Sequence, residues 1–102
     1  MENKTKYIAI AYRWFDKING NTYHSVQVKR IRDNAILYCQ FQYGYGDHYR
    51  QTAVEEMLKA GWLGDKYNKD NAYLFEREND YPISWNVHSG LKRECVANGK
   101  VA

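Results

Sequence analysis

Residues 22–43 read TYHSVQVKRIRDNAILYCQFQY, two runs of alternating polar and apolar side chains around an Asp33-Asn34 pair. In residues 22–31, His24, Val26 and Val28 fall on one side and Tyr23, Ser25, Gln27 and Lys29 on the other. In residues 35–43, Leu37, Cys39 and Phe41 oppose Ile36, Tyr38, Gln40 and Gln42. A period of two marks a strand, because successive side chains point to opposite faces. Asp and Asn tolerate left-handed backbone, so Asp33-Asn34 predicts a turn. A two-residue turn there pairs Arg32 with Ala35, setting Val28 opposite Cys39 and Val26 opposite Phe41. The apolar sides then coincide, as a half-buried hairpin requires.

Working towards the N-terminus, residues 6–15 alternate as well. Ile8, Ile10, Tyr12 and Trp14 share one face; Tyr7, Ala9, Ala11, Arg13 and Phe15 share the other. Asn19-Gly20 follows, a strong hairpin signal because a tight primed turn needs positive φ at both central residues. A two-residue turn at that pair would put Ala9, Ala11 and Phe15 in the core. A bulged or longer loop shifts the register by one and puts Ile8, Ile10 and Trp14 there. The bulge buries more apolar area and is the expectation here.

Towards the C-terminus, Gly44-Tyr45-Gly46 breaks the third strand. Asp47 is a candidate helix cap, and Thr52 with Glu55 forms a candidate capping box. Tyr49, Ala53, Met57 and Ala60 recur at helical spacing, flanked by Val54 and Leu58, and Gly61 ends the pattern. A helix of about 10–14 residues should therefore cover the sheet, since three strands need such a partner. Gly64 to Asn71 reads as a polar loop, and Ala72 to Phe75 as a short strand or helical turn. Ser84 to His88 alternates and is a candidate fourth strand, extending past Gly90 through Leu91 to Val96. Asn98-Gly99-Lys100 reads as a frayed tail. The fold class is thus α+β: a three-stranded antiparallel meander, a helix packed on it, and a candidate fourth strand.

The chain has 102 residues, the size of one domain spanning 1–102. Its ten tyrosines favour half-buried pleated surface. Net charge is +3, and residues 1–50 carry eight Lys/Arg against four Asp/Glu. That balance permits a nucleic-acid partner without demanding one. Cys39 and Cys95 form no C-x-x-C pair, and free thiols in a reducing cytoplasm are expected. The polar start, Met1 to Lys6, does not read as a signal peptide, and no window reaches membrane-span length, so no membrane partner is expected.

Motifs for chemistry are weak. His24, His48 and His88 stand alone, with no metal-ligand spacing to each other or to the cysteines. Cys39 reads as inert packing, whereas Cys95 lies beside Lys92 and Arg93, which can lower a thiol pKa. Gly44-Tyr45-Gly46-Asp47 lacks the third glycine of a dinucleotide loop and the Gly-Lys-Ser/Thr of a phosphate loop. No catalytic residue, metal or cofactor is assigned, and no enzyme activity is expected. The candidate site is the second sheet face, carrying Tyr23, Ser25, Gln27, Lys29, Tyr38, Gln40 and Gln42, with Arg30 and Arg32 near the turn beyond. Tyrosines among cations and amides suit both base stacking and protein interfaces. The plain alternative is a solvated face, or one covered by the C-terminal segment.

Asn21-Thr22-Tyr23-His24-Ser25-Val26 and Tyr43-Gly44-Tyr45-Gly46-Asp47-His48-Tyr49-Arg50-Gln51-Thr52-Ala53 resemble small uncharacterised proteins of phage and prophage genomes. The resemblance covers about the first two-thirds of the chain. It brings no activity and no catalytic residues. It implies an accessory protein acting in the host cytoplasm on a host factor. The strand order is also similar to part of a double-stranded-RNA-binding domain. The leading helix and the basic cluster of that domain are missing. Two expectations result. The first is a non-enzymatic binder of a host protein through the Tyr-rich face. The alternative is a nucleic-acid or nucleotide binder using the same face, with Lys29, Arg30 and Arg32 on phosphates. A homodimer through that face is a third use of it.

Overall fold

A computed structural model describes residues 5–44 and 46–99. Strands β1 (Tyr7–Asp16), β2 (Asn21–Arg30) and β3 (Ala35–Tyr43) form the meander, and helix α1 (His48–Lys59) follows. A short 3-10 turn (Ala72–Leu74) leads into α2 (Phe75–Glu78), then β4 (Ile83–Ser89) and α3 (Lys92–Asn98). The sheet order is β3-β2-β1-β4, and β4 runs parallel to β1. The fold class is therefore α+β, with a four-stranded mixed sheet.

Both hairpins turn through four residues. In the first, Asp16 pairs with Asn21, and the turn takes four residues rather than two. The Asp16 carboxylate accepts the backbone N–H of Ile18 at 3.0 Å and of Asn19 at 3.3 Å, which stabilises the longer loop. Only Gly20 then needs the left-handed region, at φ 69°. This overturns the expected bulge. Widening by an even number preserves the face, so Ala9 opposes Val28 and Ala11 opposes Val26. In the second hairpin Arg30 pairs with Ala35, which places Val28 opposite Leu37 and Val26 opposite Cys39. The apolar sides coincide as expected, with partners displaced by two. A bulge in β3 between the His24 and Val26 pairings changes the alternation there. Phe41 consequently leaves the Cys39 face and stacks on Tyr23 at 5.0 Å.

The core lies between the sheet and α1. Ala9, Ala11, Val26 and Val28 are fully buried with Ala53 and Met57 of the helix. Alanines on the sheet let the helix approach closely, and Met57 fills the space they leave. Tyr7 adds bulk at one end, stacked on Trp62 at 6.0 Å and edge-on to Phe75 at 6.2 Å. Asp47 precedes α1 without a side-chain cap bond. Thr52 is no cap either; it sits inside the helix and bonds His24. Ala60 is exposed rather than packed.

After β4 the chain departs from expectation. Leu91 to Val96 does not continue the strand, because Gly90 turns the chain and Leu91 N–H donates to the Glu94 carboxylate at 2.7 Å, starting α3. Asn98 and Gly99 are buried rather than frayed, and Lys100 lies outside the described residues. Helix α3 crosses the second sheet face. The Ser25 hydroxyl donates to the Cys95 carbonyl, and the Asn98 amide donates to the Ile10 carbonyl at 3.0 Å and to Ser25 Oγ at 3.3 Å. Gly99 is required at this crossing. A Cβ there would lie 2.6 Å from the Cys39 carbonyl oxygen and 2.8 Å from Ser25 Cβ.

Candidate interface on the open sheet face

Alternation, cross-strand pairing and α3 divide the second face into two halves. At the far end of β1, Trp14 and Tyr23 lie 5.6 Å apart, Phe41 stacks on Tyr23, and Tyr43 meets Tyr23 edge-on at 5.8 Å. The Lys92 ammonium of α3 lies 5.4 Å from the Trp14 ring centre and caps this cluster. Ser25 is fully buried beneath the same helix.

Among the described residues no element covers the face beyond α3. Two rungs cross all four strands there. One runs Asn86, Ile10, Gln27, Tyr38; the other runs Ser84, Ile8, Lys29, Ile36. Side chains on a rung are neighbours, and four strands span about 14 Å. Ile8 is 37% exposed and Ile36 47% exposed, so aliphatic surface faces solvent between a tyrosine, two amides and one lysine. One of the two outer strands of this half is β3, a sheet edge whose nine residues include neither charge nor proline. Charges and prolines are the usual guards against strand addition at an edge.

The expected site residues are therefore split. Gln27, Lys29 and Tyr38 stand together on the open half. Tyr23 belongs to the aromatic cluster at the other end. Gln40 is exposed at the bulge and accepts a hydrogen bond on its carbonyl from the Gln42 amide at 3.0 Å. The bulge brings Gln42 opposite His24, off the expected face. Arg30 also leaves it. Its guanidinium lies 4.5 Å from the Trp62 ring centre and makes a two-point pair with Asp33, at 2.7 and 3.0 Å. That pairing holds the Asp33 carboxyl down at about 2. Arg32 is exposed on the turn. Sequence reasoning missed Ile8, Ile10 and Ile36 as surface residues. The alternation of Ile8 and Ile10 with Ala9 and Ala11, and of Ile36 with Leu37, was the available signal.

Of the remaining chemical groups, His88 is exposed and stacks on Tyr12 at 5.0 Å, whereas His24 and both cysteines are enclosed. His24 is 1% exposed, with Nδ1 donating to the Gly44 carbonyl at 3.1 Å and Nε2 accepting from the Thr52 hydroxyl at 2.8 Å. Burial lowers its pKa, and His48, with its ring 5.4 Å away, lowers it further. Burial pushes the Cys39 thiol up to about 12. It also raises the Cys95 thiol, against the expectation drawn from Lys92 and Arg93. Cys95 faces the sheet, its thiol 3.3 Å from the Tyr12 carbonyl, while Lys92 turns to Trp14. The glycine turn at Gly44 to Asp47 includes Tyr45, which lies outside the described residues. Among the described residues no helix is long and apolar enough to cross a membrane, and no group of three acidic, histidine or cysteine side chains is placed to hold a metal. No protein-family model matches the chain, and no curated protein or solved structure matches it at a significant level.

Proposed function

We propose that this chain is a small non-enzymatic binding protein of phage or prophage origin that engages a protein of the host cytoplasm. The contact surface is the open half of the second sheet face, with the β3 edge beside it. One observation carries this reading: Ile8, Lys29 and Ile36 are exposed on one rung beside half-buried Ile10, Gln27 and Tyr38 on the next, and both rungs run out to an edge strand with no charge. Aliphatic and tyrosine surface with few charges is the composition of an interface centre. The regular stretch of that edge ahead of the bulge, Ala35 to Cys39, offers main-chain pairing to an extended partner segment. A polyanion would need more cations on that face. Of Lys29, Arg30 and Arg32, only Lys29 stands among the rungs, and Arg30 is turned away and paired with Asp33. The raised thiol pKa values of Cys39 and Cys95 likewise support a non-enzymatic role.

The test is capture from host lysate with tagged protein, run beside a Lys29→Ala/Tyr38→Ala variant whose fold is checked by circular dichroism. A partner band that resists high salt and nuclease, and disappears with the variant, is the expected result. Equal capture by both proteins would remove the partner from this face. Light scattering on the purified chain covers self-association. A dimer broken by the same variant would reassign the surface to a second copy.

A further inference from the structure

At the same end of the sheet but towards α1, where Tyr7 pairs with Arg30, three segments meet around a cavity of about 550 Å³. Ile31 N–H donates to the Lys6 carbonyl at 3.0 Å, joining the start of β1 to the turn after β2. Gly61, at φ 78°, redirects the chain after α1 and brings Trp62 against them. The walls carry Lys6, Arg30 and Arg32 together with Tyr7, Ile31 and Trp62. No acidic residue is among the described residues that line it. Asp33 follows Arg32 in the chain, and its carboxylate is engaged by the Nε–Nη2 edge of Arg30.

This is a different surface from the open rungs. We propose that the cavity binds a small organic phosphate of the nucleotide class, with its phosphates between Lys6 and Arg32 and its planar base beside the Trp62–Arg30 pair. Three features converge on that chemistry. Lys6 and Arg32 are both exposed, and Asp33, the carboxylate that feels Arg32, makes its hydrogen-bonded ion pair with Arg30 instead; two such cations favour a doubly charged anion. The Arg30 guanidinium lies over Trp62, 4.5 Å from its ring centre, and is tethered by Asp33, and Tyr7 stacks on the same indole with an interplanar angle of 16°. A layered aromatic and guanidinium wall accepts a planar ring system, which inorganic phosphate lacks. The volume falls in the range of about 300–1,000 Å³ usual for small-molecule sites.

Calorimetric titration of the full chain tests the proposal, with ADP, adenosine and pyrophosphate as separate probes. ADP should bind saturably below about 1 mM and weaken as salt rises, because cation–phosphate contacts release counterions. Adenosine and pyrophosphate should each bind at least about tenfold more weakly. Arg32→Glu, in an exposed turn where folding is not at stake, should weaken ADP at least about tenfold, and Lys6→Glu should do the same. Absence of ADP binding at about 10 mM, or affinity unchanged within twofold in both charge variants, would overturn the site. Adenosine equal to ADP would overturn phosphate recognition, and pyrophosphate equal to ADP would overturn base recognition. Lys29→Ala/Tyr38→Ala should leave ADP affinity unchanged, which separates this site from the sheet interface.

Discussion

The two faces of the sheet are made from the same three alternating strands and are closed in opposite ways. Under α1 the strands present small side chains, Ala9, Ala11, Val26 and Val28, all fully buried against apolar helix residues. On the α3 face the larger side chains of β1 stand, Ile8, Ile10, Tyr12 and Trp14; α3 lies over the Tyr12 and Trp14 end, and its contact to the sheet is made by Ser25, Asn98 and Cys95 through hydrogen bonds. One face is sealed by close approach, the other by a short polar clasp that covers half of it. Close approach selects small residues, so the bulkier set is the one left for solvent or a partner.

The sharpest test of that contrast is Met57→Ala. Met57 is fully buried between α1 and the alanines. Removing it leaves a cavity that a rigid sheet cannot fill, and a loss of about 2–5 kcal/mol in urea unfolding is expected. A loss below about 1 kcal/mol would mean that the α1 face is loosely packed and that the contrast between the faces is overstated.

Gly99→Ala probes the clasp instead. The added methyl would meet backbone on β3, at 2.6 Å from Cys39 O and 3.0 Å from Gln40 Cα, neither of which can rotate away. A cost of about 1–3 kcal/mol is expected, with altered near-ultraviolet dichroism from Trp14, which Lys92 caps. An unchanged midpoint would show that α3 does not need this approach.

These two elements also mark what the sequence could tell. The three strands, α1 and their apolar alternation were legible because period two and the helical spacing of Tyr49, Ala53 and Met57 are local signals. The choice of face was not. Area burial favoured Ile8 and Ile10, whereas the governing quantity was the distance at which α1 could pack, a tertiary property. The turn at Asp16 was open to a reader who gave the aspartate side chain its capping role. The bulge that moves Phe41 and Gln42 has no local mark in β3. Helix α3 was hidden because its seven residues bury only Cys95 and Asn98, too few for an apolar stripe. Of the expected binding residues, Gln27, Lys29 and Tyr38 form one surface because pairing puts them on adjacent rungs. Arg30 does not join them, since even-numbered β2 positions point to the α1 side at that end.

A smaller effect is expected from acid, and it belongs to the α1 side. Burial and His48 hold the His24 pKa below its ordinary 6.5. The folded state therefore keeps His24 neutral where the unfolded chain already binds a proton. Its stabilising contribution is complete above pH 6.5 and is lost as pH falls from there towards the folded-state pKa. One proton limits the slope to about 1.4 kcal/mol per pH unit. Unfolding free energies at pH 7.5, 6.5 and 5.5 should follow that fall, and His24→Gln should flatten it. The same slope in His24→Gln would assign the titration elsewhere.

The smallest effect should come from the open rungs, and its value lies in a matched pair. Val28→Thr and Ile36→Thr both keep a β-branched side chain and introduce one hydroxyl. At Val28, 0% exposed, the hydroxyl is shut away from water against α1, and about 1–3 kcal/mol should be lost. At Ile36, 47% exposed, the hydroxyl reaches solvent, and the loss should stay under about 1 kcal/mol. The ranking reverses for binding. Ile36→Thr removes aliphatic surface from the proposed contact and should reduce capture of the partner, while Val28→Thr, once folded, should not. If Ile36→Thr proved the more destabilising of the two, Ile36 would be structural surface on β3. The open half would then be left with too little spare apolar area to hold a partner.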